Sequence, residues 1–65
     1  MKSYSSREVL RKLKEDGWYE RNQTGSHIQL KHPTKKGIVT LPANRKDIPR
    51  KTLDSIEKQS GVELR

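Results

Sequence analysis

The sequence predicts an α+β fold in which two helices cover one face of a three-stranded antiparallel sheet. Apolar residues recur with helical spacing near both ends of the chain, whereas the middle carries short segments separated by turn residues. The chain has 65 residues and 28% of them are hydrophobic, which is enough for one thin core. A single domain over residues 1–65 is therefore expected.

The first predicted helix runs from about Ser6 to Asp16. Ser5 can cap its start, and Glu8, three residues later, completes a capping box. Gly17 is typical of the residue that follows a helix C-terminus. The apolar face of this helix consists of Val9, Leu10 and Leu13.

Three strands are predicted in the middle of the chain. They span Trp18–Gln23, His27–His32 and Ile38–Leu41. A turn over residues 24–26 follows the first strand, a hairpin loop over 33–37 follows the second, and Pro42 closes the third. Hairpin connections make neighbouring strands antiparallel.

A second helix is predicted after a basic connection over residues 43–46. Asp47 is the expected cap, Pro49 is expected in the first turn, and Ser60 and Gly61 end the helix. Because the apolar stripes of both helices are narrow, both are expected on the same face of the sheet, which leaves the other face open. The stripe of the second helix consists of Ile48, Leu53 and Ile56.

The charge of the chain favours an anionic partner. Fifteen Lys and Arg against eight Asp and Glu leave a net charge of +7, which suits nucleic acid or an acidic protein. Several cations cluster in the hairpin loop, in the basic connection and in the first turn of the second helix. Cations at a helix N-terminus oppose the macrodipole, and a bound phosphate would reverse that cost. We interpret the clustered cations as a phosphate-contact surface, with an ordinary solvated charge run as the alternative. The clustered cations are Lys35, Lys36, Arg45, Lys46, Arg50 and Lys51.

The two histidines are expected in different environments. His27 opens the second strand and, by alternation, faces away from Ile28 and Leu30, so it should project from the open face of the sheet or from the edge of that face. Imidazole is a common general base or acid near pH 7, and the nearby Gly25 lets a phosphodiester approach the backbone closely. On the residues alone, an ordinary surface histidine is the alternative. His32 shares the parity of the apolar positions and is expected to be partly buried.

Several function classes are excluded. The chain contains no cysteine, which removes disulfides and zinc–thiolate sites and favours a reducing cytoplasm. Residues 1–4 lead into a polar helix pattern, and no stretch approaches the roughly 18 apolar residues of a membrane span, so no membrane association is expected.

No metal or cofactor site is expected either. His27 and His32 should point to opposite faces of the sheet, and the sequence shows no cluster of carboxylates to complete a metal site, so no metal is expected. A P-loop and a dinucleotide fingerprint are absent, and no cofactor is expected.

Short segments along almost the whole chain occur in the order and spacing of a known family. They are Ser6–Leu10, Asp16–Trp18, Gly25–His27, Lys31–Pro33, Lys46–Ile48 and Thr52–Leu53. The Gly-Ser-His step, followed by a strand and a basic proline hairpin, is the most specific of these features. On these residues the chain resembles the HicA toxins of bacterial type II toxin–antitoxin systems.

This resemblance implies a fold like the double-stranded RNA-binding domain and an mRNA interferase, an endoribonuclease that cleaves mRNA and blocks translation. The family's catalytic histidine corresponds to His27, with Gly25 and Ser26 as its setting, acting as general base or acid. The resemblance also implies a neutralising HicB-type antitoxin, with a monomeric free toxin and a hetero-oligomeric complex. Many relatives carry a histidine or an asparagine-rich stretch after the third strand, where this chain reads Pro42–Arg45, so the donor of a proton to the leaving oxygen is open.

The remaining chemistry and the rival functions are left open by the sequence. Lys31 joins the clustered cations as an expected RNA contact, and Lys31, Lys35 or Arg45 would stabilise the charge that develops at phosphorus. A non-catalytic double-stranded RNA-binding module of the same fold would need the cations but not His27. A pure interaction protein would use the basic face to dock an acidic partner.

Overall fold

The computed structural model describes residues 4–64, and the elements follow the order α-β-β-β-α. They are α1 Ser6–Glu15, β1 Tyr19–Thr24, β2 His27–Lys31, β3 Val39–Pro42 and α2 Arg50–Ser60. The predicted fold class is confirmed. The polar opening assigned from sequence includes residues 1–3, which lie outside the described residues. No helix within 4–64 is long and apolar enough to cross a membrane.

The first helix begins and ends as its sequence predicts. The Ser5 hydroxyl accepts from the Glu8 backbone N–H at 3.2 Å, and the Glu8 carboxylate accepts from the Ser5 N–H at 3.3 Å. The side chains of Val9 and Leu13 are fully buried. The backbone N–H of Trp18 donates to the backbone carbonyl of Leu13 at 3.0 Å, and the Trp18 side chain is buried in the core. The first strand therefore starts one residue later than predicted.

The sheet has the order β1-β2-β3, with both pairs antiparallel. Gly25 and Ser26 form the turn between β1 and β2, and Gly25 supplies a φ of 58°, which a tight hairpin turn requires. His27 therefore lies between Thr24 of β1 and Pro42 of β3. A proline is tolerated at this position because β3 is an edge strand.

Both helices pack on one face of the sheet, as predicted. Apolar side chains from α1, β2, β3 and α2 form one core between the layers, and Leu64, beyond α2, is also fully buried. All residues of β1 are exposed. The fully buried side chains of the sheet are Leu30, Val39 and Leu41. The opposite face of the sheet carries no helix within the described residues, and we call it the open face.

The predicted cap of the second helix is wrong. Pro49 occupies the N-cap position, with φ −57° and ψ 148°, and no side chain caps the helix, which begins at Arg50. The Ile48 N–H donates to the carbonyl of Tyr4 at 2.8 Å, and the Ile48 side chain is 2% exposed. This anchoring keeps the chain extended past Ile48, so Asp47 lies too early to cap the helix.

Candidate active site

His27 lies at the start of β2, beside the turn, and its side chain is exposed. Ile28 and Leu30 of the same strand are buried against the helices. Because neighbouring strand residues point to opposite faces, the imidazole projects from the open face. The position expected from alternation is confirmed, whereas a role of this side chain in catalysis stays a prediction.

The turn before His27 is bonded to the basic loop over residues 43–46. The Ala43 N–H donates to the carbonyl of Ser26 at 2.6 Å, and Pro42 pairs with His27 across the strands. Asn44 follows with a φ of 57°, a left-handed conformation that asparagine tolerates better than most residues. The sequence did not predict this direct link between the Gly-Ser-His step and the cationic loop.

Ser6 holds the same loop from the first turn of α1. Its hydroxyl donates to the carbonyl of Pro42 and accepts from the Arg45 N–H at 2.9 Å. Its own N–H donates to the carbonyl of Arg45, also at 2.9 Å. Since Ser6 is buried, these bonds are shielded from water and fix the backbone of the loop. The Arg45 side chain stays exposed.

A groove of about 600 Å³ opens between α1 and this loop. Three cations line it, namely Arg7, Arg45 and Lys46. Its apolar floor includes Leu10, Ile28 and Ala43. His27 is not among its lining residues, so the groove and the imidazole are neighbouring features separated by the turn.

Sequence reasoning missed the cations of α1. Arg7, Arg11 and Lys14 line a second groove of about 420 Å³ along the surface of this helix. The Lys14 ammonium pairs with the Glu20 carboxylate at 3.1 Å. The signal was in the sequence, because residues spaced i, i+4 and i+7 fall on one helical face.

The structure divides the predicted RNA-binding cations. Lys31 lies on the open face with His27, about 13 Å along the strand at the usual rise per residue. Arg50 and Lys51 occupy the first turn of α2, which contains no acidic residue. Lys35 is bound elsewhere, because its ammonium pairs with the Asp16 carboxylate at 2.6 Å and donates to the Ser60 carbonyl at 3.0 Å. The other exposed cations are Lys36, Arg45 and Lys46.

His32 is held inside a hydrogen-bonded cluster, and its side chain is 8% exposed. Its Nδ1 accepts from the backbone N–H groups of Thr34 and Lys35, both at 3.1 Å. Nδ1 therefore carries no proton, and Nε2 donates to the main-chain oxygen of Asp16 at 2.7 Å. The ring also packs edge-on to Trp18, with centroids 5.2 Å apart. The prediction of a partly buried histidine is confirmed.

The Asp16 carboxylate belongs to the same cluster. Its hydrogen bond from the Lys35 ammonium holds the pKa of this carboxyl below the ordinary value, while desolvation acts in the opposite direction. His32 lies close as well, with its Nε2 3.7 Å from the carboxylate. In residues 4–64, no group of three or more histidines, cysteines or acids is placed to hold a metal ion.

The fold and the site together define a small basic α+β protein with α-β-β-β-α topology and an exposed histidine beside a cationic loop. The family model described as "HicA toxin of bacterial toxin-antitoxin" matches residues 6–62. The chain belongs to the HicA toxin family, as its motifs predicted.

A solved structure supports the same assignment. The structure described as "HicA3 and HicB3 toxin-antitoxin complex" is 33% identical in sequence to this chain, with a TM-score of 0.74. The match covers 95% of this chain and 100% of that one. A comparison with curated proteins found no match.

Proposed function

We propose that this toxin is an endoribonuclease that cleaves mRNA and blocks translation, with His27 as its general base or acid. One observation carries the proposal: the imidazole is exposed on the open face, beside a turn that is bonded to the loop of Arg45 and Lys46. An RNA backbone held by that loop can bring a ribose to the imidazole. One domain then binds and cleaves mRNA, a substrate found in the cytoplasm.

The simplest reaction uses the 2′-hydroxyl of the substrate. His27 takes the 2′-OH proton as the oxygen forms a bond to the adjacent phosphorus, and the bond from phosphorus to the 5′-oxygen breaks. The products are a 2′,3′-cyclic phosphate and a 5′-hydroxyl, whose proton comes from water or from an acid not yet identified. The need for a 2′-OH accounts for a choice of RNA over DNA. Base catalysis of this kind contributes about 10²- to 10⁴-fold to the rate.

The cations near His27 would stabilise the charge that develops on the phosphorane oxygens. Arg45 is favoured, because the backbone of its loop is bonded to Ser6 at both the N–H and the carbonyl. Lys31 shares the open face but lies farther along the strand. Lys35 is the weakest candidate, because its ammonium already binds Asp16 and Ser60.

A HicB-type antitoxin is the proposed protein partner. The similar solved structure is that of a toxin–antitoxin complex, and the matched chain of that complex is covered over its full length. An antitoxin that covers His27 and the neighbouring cations would block binding and cleavage together. The free toxin is proposed to be a monomer that enters a hetero-oligomer with the antitoxin. Growth arrest on expression, relieved by the antitoxin, is the expected phenotype.

The direct test is a cleavage assay on an mRNA transcript with wild type and the His27→Ala variant, each with and without EDTA. We expect His27→Ala to lose about 10²- to 10⁴-fold in rate and EDTA to have no effect. Ser55→Ala, an exposed position of α2 on the helix side of the sheet and away from the open face, is the control. Equal rates for His27→Ala and wild type would refute the assignment of His27, and inhibition by EDTA would refute the metal-independent scheme.

A second candidate is a non-catalytic double-stranded RNA-binding module. The cations in the groove and in the first turn of α2 favour it, because they can hold phosphates without His27. Such a protein would bind duplex RNA with strong salt dependence and leave it intact, and its expression would not arrest growth. A protein that merely docks an acidic partner would show no RNA affinity at physiological salt.

A further inference from the structure

A bulge in β1 brings an aromatic side chain onto the face that carries His27. Glu20 pairs with Leu30 and Asn22 pairs with Gln29, so the intervening Arg21 is an extra residue in β1. The extra residue shifts the alternation by one position. Tyr19 therefore lies on the open face, with its partner Lys31. Regular alternation along β1 would place Tyr19 on the face that the helices cover.

The side chains of the open face are arranged in three rows across the sheet. The row at the turn contains Thr24, His27 and Pro42, and the middle row contains Asn22, Gln29 and Thr40. In the third row, Tyr19 of β1 lies beside Lys31 of β2. Ile38, the residue before β3, lies on the other side of Lys31. Tyr19 is 50% exposed and Ile38 is 37% exposed, and they are the large exposed apolar side chains of the described residues.

We propose that Tyr19 is a base-stacking residue that holds a nucleotide of single-stranded RNA on the open face, a few nucleotides from the bond that His27 attacks. This inference rests on the proposed ribonuclease function. It adds the path of the RNA across the protein and a determinant of substrate choice. The RNA crosses the sheet from the row of Tyr19 and Lys31 to the row of His27, about 13 Å along β2 at the usual rise per residue.

The chemistry of the face selects the occupant. In the described strands, none of the side chains on this face is a carboxylate, and Lys31 supplies a cation, so the face suits a polyanion. An exposed tyrosine ring can stack on any base, since every base has a π-face. The bases of a duplex are already stacked on each other and are out of reach of the ring, which favours a single strand. Tyr19 and Ile38 are separated by Lys31, so they do not form the continuous apolar patch that a folded partner would bury.

The test measures binding and cleavage separately. Binding is measured in the His27→Ala background, to prevent cleavage, with a labelled oligouridylate and with an abasic ribose-phosphate strand of equal length. Tyr19→Ala is expected to weaken oligouridylate binding by about 5- to 150-fold, the usual value of one stacked base, and to leave binding of the abasic strand unchanged. Tyr19→Phe should retain wild-type affinity, because it keeps the ring.

Ile38→Ala is the matched control, because it removes exposed apolar surface from the same row. Cleavage of an mRNA transcript, with an intact His27, should show a raised KM for Tyr19→Ala and little change in kcat. Thermal unfolding of each variant reports whether the fold is retained. If Tyr19→Ala does not fold, Tyr19→Thr replaces it, because threonine lacks the ring and suits a strand; the same loss of oligouridylate affinity is expected.

The outcomes separate the inference from the proposed function. If wild type cleaves RNA and Tyr19→Ala binds and cleaves equally well, the inference fails and the ribonuclease stands. If Ile38→Ala loses as much affinity as Tyr19→Ala, or if the abasic strand shows the same loss, stacking is refuted. Binding of the antitoxin by Tyr19→Ala is measured alongside, and a loss of antitoxin affinity with RNA binding unchanged would refute the inference and assign the face to that protein. If wild type binds the strand without cleaving any RNA, the proposed function fails while the stacking result is still decided by the binding assay.

Discussion

The Nε2 of His32 donates a hydrogen bond to the main-chain oxygen of Asp16, 2.7 Å away, and joins the end of β2 to the end of α1. The other ring nitrogen accepts from the loop that follows, so both nitrogens of this histidine are used inside the fold. The exposed His27 has no comparable set of contacts among those found in residues 4–64. The two histidines of the chain therefore have opposite expected roles, one structural and one chemical.

Alanine substitutions of the two histidines should have opposite effects. His32→Ala leaves the Asp16 carbonyl and two backbone N–H groups without a partner and removes the contact with Trp18, so it should cost about 2–3 kcal/mol of unfolding free energy. His27→Ala should change stability little, because its side chain is exposed. Urea unfolding measures the first effect and RNA cleavage by the folded protein the second. A cleavage defect in folded His32→Ala as large as that of His27→Ala would contradict this division.

The glycines that precede and follow β1 should differ in how well they tolerate substitution. Gly17 has a φ of 110°, and a Cβ there would lie 2.8 Å from Nε2 of His32, so Gly17→Ala should be strongly destabilising. Gly25 has a φ of 58° and open space around it, so Gly25→Ala should cost only the backbone strain of about 1–2 kcal/mol. Gly25→Asn should cost less, because asparagine tolerates this conformation. Thermal unfolding of the three variants is the measurement, and equal losses for Gly17→Ala and Gly25→Ala would show that the ring yields to a Cβ.

Adjacent serines at the start of α1 should separate helix capping from loop anchoring. Ser5→Ala removes the cap and should cost about 1 kcal/mol without affecting cleavage by the folded protein. Ser6→Ala leaves the Arg45 N–H without its buried acceptor, which should cost about 1–3 kcal/mol. It should also lower kcat, because the cationic loop beside His27 loses an anchor. Chemical unfolding and single-turnover cleavage measure the two effects; an unaltered rate for folded Ser6→Ala would show that loop position does not matter for the reaction.

The ion pair of Asp16 and Lys35 should make stability depend on acidity. The Lys35 ammonium lowers the pKa of Asp16 in the folded state. The ion pair therefore stabilises the folded protein fully when the pH is above 3.8, the ordinary pKa of an aspartate. This stabilisation is lost as the pH falls through the lower pKa that Asp16 has in the folded state. Asp16→Asn should therefore be less stable than wild type at neutral pH, and the gap should close in acid. Glu15→Gln, an exposed neighbour, is the control. Urea unfolding at several pH values checks the trend, and a gap that widens below pH 3.8 would contradict it.

Much of the fold could be predicted because its signals are local. The capping box of Ser5 and Glu8 and the alternation around Ile28 depend on neighbouring residues, and both were confirmed. The cap at Asp47 was wrong because a backbone bond from Ile48 to Tyr4, far apart in sequence, decides where the second helix begins. No periodicity carries information on such a contact.

The candidate site shows the same division. Strand parity placed His27 on the open face, and the charge of the basic segments was visible from the residues. Nothing in the sequence showed that Ala43 bonds to Ser26, which brings the cationic loop to the histidine. Lys35 was grouped with the RNA contacts because its charge is visible, whereas its partner Asp16 comes close only when the chain folds.

The sequence by itself determined the element order, the exposure of His27, the basic character and the family, because these follow from residue identity and short-range spacing. The tertiary structure decided which face Tyr19 occupies, which cations remain accessible and how the loop meets the turn. These features depend on strand register and on hydrogen bonds between residues distant in the chain. A single extra residue in β1 is enough to change the face on which a side chain lies.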